Sequence, residues 1–287
     1  MRKFGQFLTL IGVAAAALAG AQPPPTDAAP GVIAAARAAL GGEQKLAAVK
    51  TVVATGRTRQ VRGDNLVPIE FEIDIELPDK YIRRDEFPAQ DSGPAATGFR
   101  GDELLQFPPP SPPPARAGGP PPPTADQLAA AGRMRLSAVK QDFSRLMLGM
   151  FAGSSPVLPL TFTYVGKAEA PQGKADVLDV KGPAGPGALA ARLFINADTH
   201  LPIMLTWTAP APPSRGGPPP SREGAPAASQ LSPPETRLYF AEYREVSGLQ
   251  LPFRLRRALG PDTVEETTFD GYKINVRIDP KRFEGRK

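Results

Sequence analysis

Residues 69–76 read Ile-Glu-Phe-Glu-Ile-Asp-Ile-Glu, every odd position apolar and every even one acidic. Successive side chains of an extended backbone point to opposite faces, so this segment is a strand with one dry side and one wet side. The same period of two recurs along the chain. Residues 51–62 are rich in β-branched side chains, and 80–87 follow a turn at Leu77, Pro78 and Asp79. Leu160, Phe162 and Tyr164 alternate with threonines, and Leu178 and Val180 mark a further short strand. Residues 189–195, 201–207, 235–246, 249–255 and 272–278 continue the series. Ten or eleven strands at short, regular spacing argue for an antiparallel sheet or barrel.

Helices are few. Residues 30–40 form a short Ala-rich segment stopped by Gly41-Gly42, and 43–50 add a turn or two. The strongest helix spans 125–150. Thr124 can cap it, and Gln127 completes a capping-box pattern. Leu128, Leu136, Val139, Phe143, Leu146, Met147 and Met150 then fall in one stripe, with Arg133, Lys140, Asp142 and Arg145 on the other side. A sheet with one wet face and a few amphipathic helices places those helices on the apolar face, a mainly β (α+β) architecture.

Residues 1–21 read as a cleavable secretory signal. Arg2 and Lys3 precede an apolar run at 7–18 that is too short to span a bilayer, and Ala19-Gly20-Ala21 is a small-residue cleavage site. Cleavage after Ala21 implies an exported, periplasmic protein whose mature chain has no spanning segment. Two stretches break the strand pattern: 107–124 with ten prolines and 209–234 with nine. They cannot bury enough surface to offset their ordering entropy, and read as disordered insertions within one domain, 22–287. They are either tolerated surface loops or docking strips for a proline-reading partner. The 287 residues include no Cys and one His, which excludes disulfides, thiol chemistry and a His-rich metal site. The net charge of +5 is spread along the chain, so no nucleic-acid stripe is indicated.

Three pieces of the C-terminal half carry a resemblance: 193–202 (LFINADTHLP), 243–252 (YREVSGLQLP), and 272–279 (YKINVRID) followed by Phe283. In this order, after a signal and an Ala-rich helix, the chain resembles the outer-membrane lipoprotein-sorting, LolA-like family. The likeness covers about 160–284 well and 30–100 loosely. It implies an antiparallel unclosed β-barrel with helices on its concave apolar face. It also implies a role in carrying acylated lipoproteins or in binding lipidic envelope components.

No residue pattern for catalysis accompanies this. Glu70, Glu72, Asp74 and Glu76 share one sheet face but are spaced along a strand rather than converging, so a solvated ladder partly neutralised by Arg83 and Arg84 is the expectation. His200 sits in a turn with no nucleophile motif in the chain. Arg254, Arg256 and Arg257 form a small basic group, read as a wet strand face or a phosphate or lipid-headgroup contact. The expectation is a non-enzymatic, cofactor-free envelope protein that binds a lipid or an acylated protein. The candidate lining is Ile73, Ile75, Phe162, Tyr164, Leu205, Trp207, Phe253 and Met147. The alternative is an interaction module whose packed half-barrel docks an envelope partner through a sheet edge or the proline-rich loops.

Overall fold

A computed structural model describes residues 28–63, 65–88, 93–109, 123–170, 173–185, 188–208 and 234–284. The signal segment, most of the first proline-rich stretch and nearly all of the second lie outside the described residues.

The described residues form one twelve-stranded antiparallel sheet that does not close. Two meanders build it. The first runs β1 (Thr51–Arg62), β2 (Asn65–Glu76), β3 (Lys80–Glu86), β4 (Ala95–Arg100) and β5 (Glu103–Phe107). The second runs β6 (Thr161–Ala170), β7 (Gly173–Lys181), β8 (Ala190–Asn196), β9 (Pro202–Thr208), β10 (Glu235–Val246), β11 (Leu249–Leu259) and β12 (Asp262–Ile274). The strand order is β5-β4-β3-β2-β1-β12-β11-β10-β9-β8-β7-β6, so the first and last strands pair and join the meanders. The period-two expectation is met, with two differences. β4 and β5 had no sequence signal, and β12 begins at Asp262, ten residues earlier than the alternation placed it.

Among the described residues three α-helices accompany the sheet: α1 (Ala28–Ala39), α2 (Glu43–Ala47) and α3 (Ala125–Phe151). At about 1.5 Å rise per residue, the 27 residues of α3 make a rod of roughly 40 Å. That length suits its task, because α3 connects β5 to β6, the two edges of the sheet, and must cross the whole concavity. The capping box is present: the Thr124 hydroxyl accepts from Gln127 N–H, and the Gln127 side chain accepts from Thr124 N–H.

One large core fills the space between the concave face and the helices. Val52, Phe71, Ile75, Leu193, Leu205, Phe240 and Leu251 of the sheet meet Ala36 and Leu40 at α1, and Phe143, Leu148 and Met150 of α3. Only the second half of α3 is buried there. Its first turns stand away from the sheet: Leu128, which the stripe placed inward, is 56% exposed, and Met134 is 67% exposed.

The convex face is not wholly wet. Residues after β12 return across it to a terminal 3-10 turn, Pro280–Phe283, whose Phe283 packs with Ile278, Ile82, Ala96 and Leu105 in a second, smaller core. This overturns the reading of the acidic ladder as entirely solvated. Asp74 is 0% exposed and accepts from Arg84 Nη1 (2.5 Å) and Arg282 Nε (2.7 Å). Glu72 pairs with Arg282 as well. Arg83 does not serve the ladder, since it lies on the opposite face.

Candidate functional site

The concave core is not sealed at one rim. There, between the middle of α3 and the ends of β1, β2, β3, β10, β11 and β12, lies a cleft of about 300 Å³. Its floor is apolar, made by Ile69, Ile73, Tyr81, Leu238, Leu255 and Phe269 with Leu146 of α3 above. Its walls are charged: Arg62, Arg83, Arg145 and Arg257 face Asp85, Asp142 and Glu265. The volume is at the lower end of the roughly 300–1,000 Å³ usual for small-ligand pockets.

The register explains how these groups meet. Thr58 of β1 lies opposite Thr267 of β12, and Arg257 of β11 lies opposite Glu265. Each therefore projects to the same side as Ile73 and Phe269. Arg83 is held on three sides: Nε donates to Asp85 (2.7 Å), Nη2 donates to Thr58 Oγ1 (3.1 Å), and the guanidinium lies 4.5 Å from the Phe71 ring centroid. Burial alone would lower the Arg83 pKa, but Asp85, Tyr81 and Glu265 together outweigh it and the net shift is upward. Arg145 donates from Nη1 to Asp142 (2.7 Å) and from Nη2 to Gln141 Oε1 (3.1 Å), and stacks 4.3 Å from the Trp207 ring centroid. Burial pushes the Tyr81 phenol up to about 12.

The eight residues expected to line a cavity belong to one apolar surface. Ile73, Ile75, Leu205, Phe253 and Met147 are buried in the large core, and Phe162, Tyr164 and Trp207 pack half-buried against it. Of the eight, Ile73 lines the cleft; the others lie deeper beneath the helices or farther toward β6. Sequence reasoning missed the arginines and acids of the walls. Arg145 was assigned to the solvent side of α3, and Arg257 was grouped with Arg254 and Arg256. The latter two lie on the convex face: Arg254 pairs with Glu242 and Glu266, and Arg256 stacks on Tyr239. No signal in the local sequence separates Arg257 from its neighbours except its odd position, shared with Leu251, Phe253 and Leu255.

Elsewhere, a hollow of about 470 Å³ on the convex face is lined mainly by charges such as Arg57, Glu70, Glu72 and Arg84, and offers an aliphatic ligand little surface. His200 is exposed in a turn held by Asn196 Oδ1, which accepts from the N–H groups of Asp198 and Thr199. Among the described residues no three acidic or His side chains are arranged to hold a metal ion, and no described helix is long and apolar enough to cross a membrane.

An open antiparallel sheet whose concave side is roofed by one long helix matches solved structures over most of the chain. A LolA superfamily protein from Nitrosomonas europaea aligns at 12% identity over 89% of this chain and 97% of that one, with a TM-score of 0.50. The chain has the LolA-like fold. A DUF1329 family protein from Desulfovibrio piger (9% identity, 90% and 98% covered, TM-score 0.47) also aligns. So does a domain named for outer-membrane lipoprotein sorting from Vibrio parahaemolyticus (8% identity, 89% and 96% covered, TM-score 0.47). No family model and no curated protein matches the sequence. The likeness is one of backbone course. In this LolA-like fold the resemblance noted in 193–202, 243–252 and 272–279 falls on the β8–β9 turn, the β10–β11 turn and the end of β12.

Proposed function

We propose that this protein binds a hydrophobic, lipid-bearing ligand between α3 and the concave face of its sheet, as a carrier or sensor in the cell envelope. One observation carries the reading: a twelve-stranded open sheet is roofed on its apolar side by a single long helix, and the seam between them opens as a cleft with an apolar floor. The aliphatic part of the ligand enters past Ile73 and lies along Ile75, Phe253 and Met147. Leu205, Trp207, Phe162 and Tyr164 extend the same surface toward β6. Each methylene removed from water contributes about 0.8 kcal/mol. Because the core is already filled, the chain replaces contacts between α3 and the sheet, and only the difference appears as affinity. Export fits this role: the signal reading of 1–21 places the LolA-like domain, 22–287, in the periplasm. The proposal includes no catalytic step.

The test is binding of a dansylated fatty acid to the purified mature protein, with unlabelled fatty acid as competitor. Trp207, the one tryptophan of the chain, lies at the seam and reports its opening. The reading expects saturable, displaceable binding with a change in Trp207 emission, weakened by Phe253→Ala. No displaceable binding, with Trp207→Ala and Phe253→Ala altering stability only, would end it.

A second reading is favoured by one feature. β6 is a ten-residue edge strand with no strand paired to its outer side among the described residues, the kind of edge to which a partner strand adds. Deleting 209–234 leaves β6 intact and separates the routes: fatty-acid binding persists under the first reading, and under the second partner capture persists if the β6 edge docks the partner and is lost if the proline-rich loop does.

A further inference from the structure

We infer that the cleft at the sheet rim receives an oxyanion, the carboxylate or phosphate head of an anionic amphiphile, on Arg257 with Arg145 beside it. The inference rests on the ligand-binding reading above and names the head of that ligand.

Two of the three acids in the cleft walls are engaged: Asp85 by Arg83, and Asp142 by Arg145. Arg257 makes no ion pair among the described residues, although Glu265 lies opposite it in the strand register. Its Nε is buried and without a hydrogen-bond partner, and so is Nε of Arg145. Among the described residues, these are two of only four buried side-chain polar atoms left unsatisfied, and both belong to guanidinium groups of one cleft. A buried donor without an acceptor is costly, and an oxyanion is the acceptor that guanidinium groups bind most strongly.

The charges agree with the geometry. The lining carries four arginines against three acids, so one positive charge is in surplus. Arg145 has its pKa lowered, first by burial and also by the neighbouring positive charge of Arg257, with Asp142 opposing the shift. Two like charges held together in a partly dry cleft are relieved by an anion between them. The floor decides between a free anion and an amphiphile. Leu255 precedes Arg257 by two residues on the same face, Leu238 is its cross-strand neighbour, and Ile73 and Phe269 continue toward the core. A head on Arg257 therefore has an aliphatic path leading away from it.

The experiment measures dodecanoate, dodecyl phosphate, dodecanol and inorganic phosphate against the mature protein by calorimetry, for the wild type, Arg257→Met and Glu265→Gln. Arg257→Met keeps the aliphatic stem and removes the charge. Glu265→Gln removes the competing carboxylate and need not disturb the fold. The expected result is that the anionic amphiphiles bind about tenfold or more tighter than dodecanol, that Arg257→Met abolishes this preference, and that Glu265→Gln increases it several-fold. Dodecanol binding should be unchanged in both variants. Equal binding of dodecanol and dodecanoate, or equal losses for both in Arg257→Met, overturns the head site while leaving the ligand reading intact. Inorganic phosphate binding as tightly as dodecyl phosphate overturns the amphiphile in favour of a free anion. If no amphiphile binds at all, the ligand reading itself falls.

Discussion

Nη1 of Arg37, in α1, donates at 2.9 Å to the main-chain carbonyl of Phe151, the last residue of α3 and 114 positions away. The same guanidinium grips Glu43 with Nη2 at 2.7 Å, so its fork is fixed before it reaches the helix end. The last carbonyls of a helix have no partner within it, and a cation there also suits the helix dipole. Arg37 thus ties the roof of the concavity to the small helix beside it. Arg37→Leu should lower unfolding free energy by about 1–3 kcal/mol, read as a fall in the urea midpoint. Glu43→Gln, at a fully exposed partner, should move it far less. Equal midpoints for Arg37→Leu and wild type would show that the tie holds nothing.

A hydroxyl also anchors the same helix end. The phenol of Tyr243 lies 2.8 Å from both the Gly149 and Pro202 carbonyls, and its one proton is shared between α3 and the start of β9. Tyr243→Phe should cost about 1–2 kcal/mol. Burial raises the Tyr243 phenol far above its ordinary value, so in an alkaline absorbance titration it should ionise only as the protein unfolds. Ionisation of every tyrosine before loss of circular dichroism would contradict the placement.

Two glycines of α3 make an internal comparison. A Cβ on Gly149 would sit 2.1 Å from Cε1 of Phe240, with the whole ring edge behind it, whereas a Cβ on Gly132 meets nothing within 4 Å. Alanine favours a helix over glycine by about 1 kcal/mol. Gly132→Ala should therefore stabilise the protein or leave it unchanged, while Gly149→Ala should destabilise it by about 1–3 kcal/mol through overpacking. If chemical denaturation ranks the two variants equally, α3 does not lie against β10 as closely as described.

Asp74 makes stability depend on pH. Burial raises its carboxyl above the ordinary 3.8; the Arg84 hydrogen bond and the charges of Arg282 and Arg84 pull it down, and Glu72 adds to the rise, leaving it raised. A raised folded pKa means that the native state holds the proton more tightly than the unfolded chain. The contribution of Asp74 is then complete below 3.8 and is lost as pH climbs through the raised folded value. The stability difference between wild type and Asp74→Asn should shift against the wild type as pH rises from about 3.5. A difference that is flat, or that moves in the opposite sense, would argue that the two arginines outweigh burial.

Legibility in the sequence followed the hydrophobic face. β2 was readable because Ile69, Phe71, Ile73 and Ile75 all turn toward one core, and α3 because Thr124 and Gln127 announce its start. The first half of β12 was not, and the reason bears on function. Glu265 and Thr267 take the inward positions there, where apolar residues would have marked a strand, and both line the cleft. The segment that builds the candidate site loses the alternation because it builds the site. β4 and β5 escaped notice for a different reason: each is short, and they share their apolar residues between two cores, Phe99 on the concave side and Ala96 and Leu105 on the convex.

By itself, the order of amino acids determined which stretches extend, which coil, and that one side of the sheet is greasy. These are properties of neighbours two to four positions apart, set by backbone geometry and water. Tertiary structure alone decided that Asp74 is buried while Glu70 is exposed, and that Arg145 and Arg257 converge while Arg254 and Arg256 turn away. Those outcomes depend on β1 pairing with β12, where Thr51 Oγ1 donates to the Val276 carbonyl across 225 residues, and no local pattern encodes a register between segments so distant.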